Sequence, residues 1–213
     1  LYISLHFGNQ LLKEKIFNEL LNISNQLHKE HLHSRFKRQL YNTIVPIVHI
    51  FEGKYHEAID KLDQIRGYRS SPFTLNEYRL FYARAALLHL LFHPKPLKQE
   101  IYELAKFYLT DISINGISNK HQADLSRAFL LAREGNIELA KELILQGYFQ
   151  LEKRNKGNFM TRLWYFYDMF IYGKTQELLG NRPEASKGYQ ACIAANPHTD
   201  LAKRARLAIE KLK

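Results

Sequence analysis

Residues Met169–Pro197 read MFIYGKTQELLGNRPEASKGYQACIAANP. Apolar residues recur there at spacings of three and four, which is the helical signal, and period-two alternation is almost absent along the whole chain. Gly180-Asn181 breaks the stretch into two helices, near 159–179 and 182–195, and Asn196-Pro197 closes the second. Gly173 and Gly180 stand seven apart; Ala185 follows five later, Tyr189 four after that, Cys192 three after that and Pro197 five after that.

Outward from this pair, similar punctuation recurs at Gly53, Tyr68–Phe73, His93-Pro94-Lys95-Pro96, Asn115-Gly116, Gly135-Asn136 and Gly157-Asn158. The spacing between these breaks predicts helices near 35–52, 54–67, 74–92, 97–113, 119–134 and 137–151, and a last one near 199–212. Leu11, Leu12, Ile16, Leu20, Leu21 and Leu27 mark a first helix over Asn9–Lys29. The expectation is an all-α chain of about ten helices with short connections. No linker is long enough for a domain boundary, so 1–213 reads as a single domain.

Gly173, Gly180, Ala185, Tyr189 and Pro197 give this last pair a close resemblance to the tetratricopeptide repeat. In that family a small residue lets helix A approach helix B and a glycine ends helix A. A small residue of helix B then packs back on helix A, and a proline closes the unit. Cys192 takes the second small position of helix B, and Met169 stands where tryptophan is usual. A second unit, Asp124–Leu151, carries Ala128, Gly135 and Ala140 at the same seven- and five-residue spacing. A third, Asn42–Ile65, has Gly53, Tyr55 and Ala58, with Pro46 at the close-approach position, so its first helix should bend or begin late. A fourth, Leu75–Leu109, has Ala105 but no glycine turn. The helix B alanines Ala58, Ala105, Ala140 and Ala185 lie 47, 35 and 45 residues apart, against a family period of about 34. The resemblance covers Gln39–Pro197 and implies a right-handed α-solenoid of antiparallel hairpins: 1–34 as an N-terminal helix, 35–198 as irregular repeats and 199–213 as a cap. In the cap, Leu201, Ala205, Ala208 and Leu212 form one apolar stripe, with Thr199 or Asp200 at the amino end.

Composition bounds the function classes. With 213 residues, 46% hydrophobic and 24% charged, the chain has ordinary globular values and needs no disulfide or metal staple. A single Cys excludes an internal disulfide and favours a reducing compartment, which reads as cytoplasmic. No secretory signal pattern is present, and Ile44–Phe51 and Ala83–Phe92 are too short to span a bilayer. The apolar start Leu1-Tyr2-Ile3-Ser4-Leu5 reads as an ordinary first helix. The alternative is the end of a preceding membrane helix, which would make the chain a cytoplasmic-side domain of a membrane-anchored protein.

Sites of chemistry are scarce. His28, His31 and His33 lack a partner ligand at a diagnostic spacing and read as a solvated helix end. His89 and His93 share a helix face, but Leu90 replaces the glutamate of the zinc-protease pattern; His93, before Pro94, reads as a helix end. His56-Glu57 is followed by Asp60 rather than histidine. Gly173-Lys174-Thr175 has Asp168 where a phosphate-binding loop needs glycine. Cys192 sits at a packing position. Asn22-Ile23-Ser24 is a lone sequon in a helical run. No enzyme, cofactor or metal is implied.

The expectation is therefore a protein-interaction module or scaffold that takes a peptide or partner helix in a concave groove. The resemblance places Tyr167, Phe170, Lys174 and Glu177 in that groove, and in the preceding unit Gln122, Leu125, Phe129 and Arg133. Arg84 and Arg162 fall in helix A segments beside them. The family's carboxylate-clamp pattern is not reproduced. In Met160–Tyr172 the aromatics are too dense for one seam, so they divide between core and groove, with core favoured. The net charge of +10, gathered at Lys29–Arg38, Lys153–Arg162 and Lys203–Lys213, points to an acidic protein or peptide. Two alternatives are a peptide-sensing regulatory domain of a larger protein and a basic nucleic-acid binder, the latter without a recognition motif.

Overall fold

In the computed structural model the described residues are 22, 35–66, 75–116, 119–154 and 159–212. The first helix expected over Asn9–Lys29, the histidines His28, His31 and His33 and most of the Lys29–Arg38 patch lie outside them; Asn22 itself is helical and exposed. Among the described residues there are nine helices and no strand. They are α1 (Arg35–Glu52), α2 (Tyr55–Ile65), α3 (Leu75–Phe92), α4 (Gln99–Asn115), α5 (Lys120–Arg133), α6 (Ile137–Arg154), α7 (Phe159–Leu178), α8 (Arg182–Ala195) and α9 (Asp200–Leu212). Pro46 does not delay α1, which starts at Arg35 and runs through the proline. The chain divides into two compact units, Leu1–Ala105 and Lys106–Lys213. The division falls inside α4 rather than in a linker, which is why no composition shift marks it.

One backbone device recurs three times. Gly53, Gly135 and Gly180 have φ of 80°, 84° and 76°, a left-handed conformation that glycine adopts without a Cβ clash. At each, the next residue's N–H bonds a carbonyl five residues back: Lys54 to His49, Asn136 to Leu131 and Asn181 to Gln176, all at 2.8 Å. The glycine N–H bonds the carbonyl three back, at 3.3, 3.2 and 3.1 Å respectively. This is the Schellman termination, which satisfies the last carbonyls of a helix. The next helix starts two residues later each time, and its small residue Ala58, Ala140 or Ala185 is fully buried. The same turn thus makes α1–α2, α5–α6 and α7–α8 into three alike helix pairs.

In the first unit, α2 buries Tyr55, Ala58, Ile59, Leu62 and Ile65 along one face and packs on both α1 and α3. In α3 nearly every residue from Tyr78 to His89 is buried; a helix apolar all round is an inner helix.

In the second unit, α7 and α8 pack most closely. A Cβ on Gly188 would lie 2.8 Å from both the Cα and the N of Gly173, and one on Gly173 would lie 2.8 Å from the Tyr189 ring. Gly173 is therefore a point of close approach between the two helices, the role the resemblance implies for it, and Gly188 supplies the other half of the approach. Two reciprocal clasps join the pair. The Tyr172 hydroxyl of α7 donates to Glu184 Oε2 of α8 at 2.6 Å, and the Tyr189 hydroxyl of α8 donates to Glu177 Oε2 of α7. Lys187 Nζ stands 3.4 Å from the first carboxylate and Lys174 Nζ 3.0 Å from the second. The α9 cap follows. The Ala202 N–H donates to Thr199 Oγ1 at 3.2 Å, so Thr199 is the cap residue, while Asp200 pairs with Arg204 at 2.6 Å. Leu201, Ala202 and Ala205 bury the stripe. Cys192, fully buried in α8, is a packing residue as its position predicts.

Candidate interaction site

The groove residues expected from the repeat resemblance separate by depth. Tyr167 is 0% exposed, Phe170, Phe129 and Arg84 1%. Phe170 lies against the Tyr189 ring, with centroids 5.6 Å apart. Tyr167 meets Trp164 edge-on at 6.4 Å, and its hydroxyl is 3.4 Å from Ser126 Oγ. Arg84 lies with its guanidinium carbon 5.9 Å from the Phe81 ring centre. These four are core residues of the folded chain and offer no surface to a partner. Gln122 and Leu125 are buried as well. Lys174 and Glu177 are half-exposed and Arg133 is exposed at the end of α5. Arg162 falls within α7, with its side chain outside the described residues.

The aromatic run follows the same logic. Trp164, Phe166, Tyr167, Phe170 and Tyr172 are buried, so the core share of the expected division takes nearly all of the run. Tyr165 is half-buried and donates to Glu152 at 2.7 Å; burial, then this carboxylate, raise its hydroxyl well above the ordinary range. Exposed apolar side chains lie elsewhere, at Phe107 and Ile114 of α4 and at Leu145 and Phe149 of α6, each 58–65% exposed.

Polar groups tie α7 to α5. Gln122 Nε2 donates to Asp168 Oδ2 at 3.0 Å in a buried position, beside the Ser126–Tyr167 approach. Thus the first helices of two successive pairs lie side by side. On α5, Asp124 accepts from Ser113 Oγ at 2.5 Å, and Lys120 Nζ stands 3.6 Å from it. Burial raises the Asp124 carboxyl against the opposing pull of these donors. Glu177 ends below its ordinary range: burial pushes it up, but the hydrogen bonds from Tyr189 and Lys174 outweigh that. Hence Glu177 Oε2 is engaged by Tyr189 and Lys174 within the α7–α8 pair, and Lys174 and Arg133 have surface to offer.

A second cluster was not legible as such in the sequence. His56 of α2, His89 of α3 and His93 just beyond α3 converge, with ring centres 4.2 Å apart for His89–His93, 5.5 Å for His56–His89 and 6.0 Å for His56–His93. His89 is 3% exposed. Burial, then the neighbouring His93 and His56, lower its imidazole to about 4. The four-residue spacings His56–Asp60 and His89–His93 were visible; the meeting of α2 with α3 was the missing information. Among the described residues, no three His, Cys, Asp or Glu side chains stand as placed in a geometry that holds a metal ion. No described helix is long and apolar enough to cross a membrane. No protein-family model matches the chain, and neither a curated protein nor a solved structure does.

Proposed function

We propose that the chain is a tetratricopeptide-like helical-repeat module, a right-handed solenoid of antiparallel hairpins, that binds an acidic peptide or protein segment. The carrying observation is the threefold recurrence of one helix–glycine turn–helix pair at Gly53, Gly135 and Gly180, each followed by a buried alanine five residues on. A scaffold of repeated hairpins buries its aromatic residues to hold shape and leaves recognition to the polar rims of its first helices. On this reading the contact residues are Lys174, Arg133 and Arg162. Tyr167, Phe170 and Phe129 hold the helices that carry Lys174 and Arg133, and Glu177 orients Lys174. The net charge of +10 favours encounter with an acidic segment. A free buried thiol at Cys192 fits a reducing, cytoplasmic setting.

The test is an arrayed library of extended peptides graded from acidic to basic, probed with the full chain and with the Arg133→Glu/Lys174→Glu double variant. Acidic peptides should be retained and should lose at least about tenfold in affinity in the variant, as truncating or reversing interface charges does. Equal binding of acidic, neutral and basic peptides, or an unaltered variant, overturns the assignment.

A further inference from the structure

Two helices of the second unit carry large apolar side chains at the centre of their solvent sides. α6 buries Ala140, Leu143, Ile144, Gly147 and Leu151. Leu145 and Phe149, four apart on the opposite side, are 64% and 65% exposed. α9 buries Leu201, Ala202 and Ala205, and Leu207, on the side turned away from these, is 58% exposed. A surface helix normally places polar residues there, so the packing of neither helix within the chain accounts for these three side chains.

The charges around them differ in sign. On α6, Glu142 lies one turn before Leu145 and Glu152 one turn after Phe149, both exposed. Steps of three and four residues put Glu142, Leu145, Phe149 and Glu152 in one seam, the pattern that receives a partner helix. At 1.5 Å of rise per residue the two glutamates stand about 15 Å apart, with the apolar pair midway. Their hydrogen bonds come from neutral groups, Gln146 to Glu142 at 3.0 Å and the Tyr165 hydroxyl to Glu152 at 2.7 Å, so each carboxylate keeps its charge. Lys141 pairs with Glu138 at 2.8 Å, and Lys153 borders the seam. On α9, Lys203 and Lys211 lie one turn to either side of Leu207, both exposed and about 12 Å apart along the axis; the charge of Lys211 also reaches Glu177. Arg206 adds a positive charge beside Leu207 and Glu210 offsets one. One helix thus presents acid, apolar, acid, and the other base, apolar, base, at nearly the same length. With Leu207 seated between Leu145 and Phe149, each lysine comes to a glutamate whichever way the two helices run.

We propose that the chain self-associates, α9 of one copy lying on the α6 seam of another. The contact is heterologous, so it closes as a pair where two such contacts form together and otherwise extends to longer assemblies. One helix on one helix buries less than a standard interface of about 1,600 Å², which makes the association weak. The net charge of +10 repels two copies at a distance. A screening length of about 8 Å at physiological salt limits that repulsion more than it limits the close pairs. The contact uses neither Lys174 nor Arg133 and is independent of the peptide-binding reading.

The test is sedimentation equilibrium of the full 213-residue chain at physiological salt. The weight-average mass should rise above that of one chain between about 10 µM and about 1 mM, the range open to a small contact. Leu207→Gln and Leu145→Gln/Phe149→Gln stand at exposed positions where glutamine suits a helix. Both should keep the helical circular dichroism, and each should weaken association at least about tenfold. Glu142→Lys/Glu152→Lys should weaken it, as should Lys203→Glu/Lys211→Glu, and the variant carrying all four changes should regain it. A single-chain mass at about 1 mM overturns the proposal. So does association that is unchanged in folded Leu207→Gln, or a folded fourfold charge variant that fails to recover.

Discussion

The α7–α8 turn and the α3–α4 link both end one helix and lead into the next, by different chemistry. At Gly180 the backbone does everything: a left-handed glycine lets two N–H groups reach back to the last carbonyls, and α8 begins two residues later. After Phe92 there is no such glycine. The link carries Pro94 and Pro96, neither of which can donate a backbone hydrogen bond. Side chains fill the gap: His93 Nδ1 accepts from the Lys95 N–H and the His89 ring donates to the Lys95 carbonyl. A helix end without such a glycine is finished here by polar side chains, and those side chains are titratable imidazoles.

This contrast can be broken from the glycine side first. Gly188→Val places methyl groups against the backbone of Gly173, which has no room to move; we expect a loss of about 3 kcal/mol or more, seen as a lowered urea midpoint. Gly180→Ala meets open space, since nothing lies within 4 Å of its Cβ. Its cost is the left-handed backbone alone, about 1–2 kcal/mol. Should both variants cost the same, the close approach of α7 and α8 is not what orders the pair. Tyr172→Phe and Tyr189→Phe should each cost about 1 kcal/mol, with non-additive loss in the double variant if the two clasps act together.

The histidine link is tested by pH. His89 sits near 4 in the fold against an ordinary 6.5, chiefly because it is buried. Between those values the unfolded chain holds a proton that the folded chain lacks, so stability falls as pH falls. The contribution is fully present above 6.5 and lost as pH falls to about 4. His49, lowered by burial too, acts in the same sense. Glu177 and Glu184, held below their ordinary 4.5, lose their stabilisation only as pH falls beneath that value. Denaturation midpoints should therefore drop between pH 6.5 and 4.5, and His89→Gln should flatten that drop. An unchanged slope in the variant would remove His89 from the account. At the cap, Thr199→Ala should likewise cost about 1 kcal/mol, read as a lowered urea midpoint.

The helices were readable because their punctuation is local. Gly53, Gly135 and Gly180 each announce a boundary, and α8 spans the residues that its spacing predicts. Depth was less readable. Tyr167 and Phe170 carry the periodicity expected of a groove-facing helix, yet they are buried because α5 and α8 cover them, and a single helix's pattern does not say which of its neighbours will do so. The histidine cluster was harder still. Each pair was visible on its own helix, but His56 and His89 are 33 positions apart in the chain, and only the packing of α2 on α3 brings them together.

The lone cysteine turns the α7–α8 pair into its own gauge. Cys192 is fully enclosed, and burial pushes its thiol up to about 12. A buried thiol so rarely ionised is inert to alkylating reagents until its surroundings open. With one Cys in the chain, every labelling event reports one place. The rate at which a maleimide reacts therefore clocks how often α8 lifts away from α7, with no engineered probe and no unfolding agent.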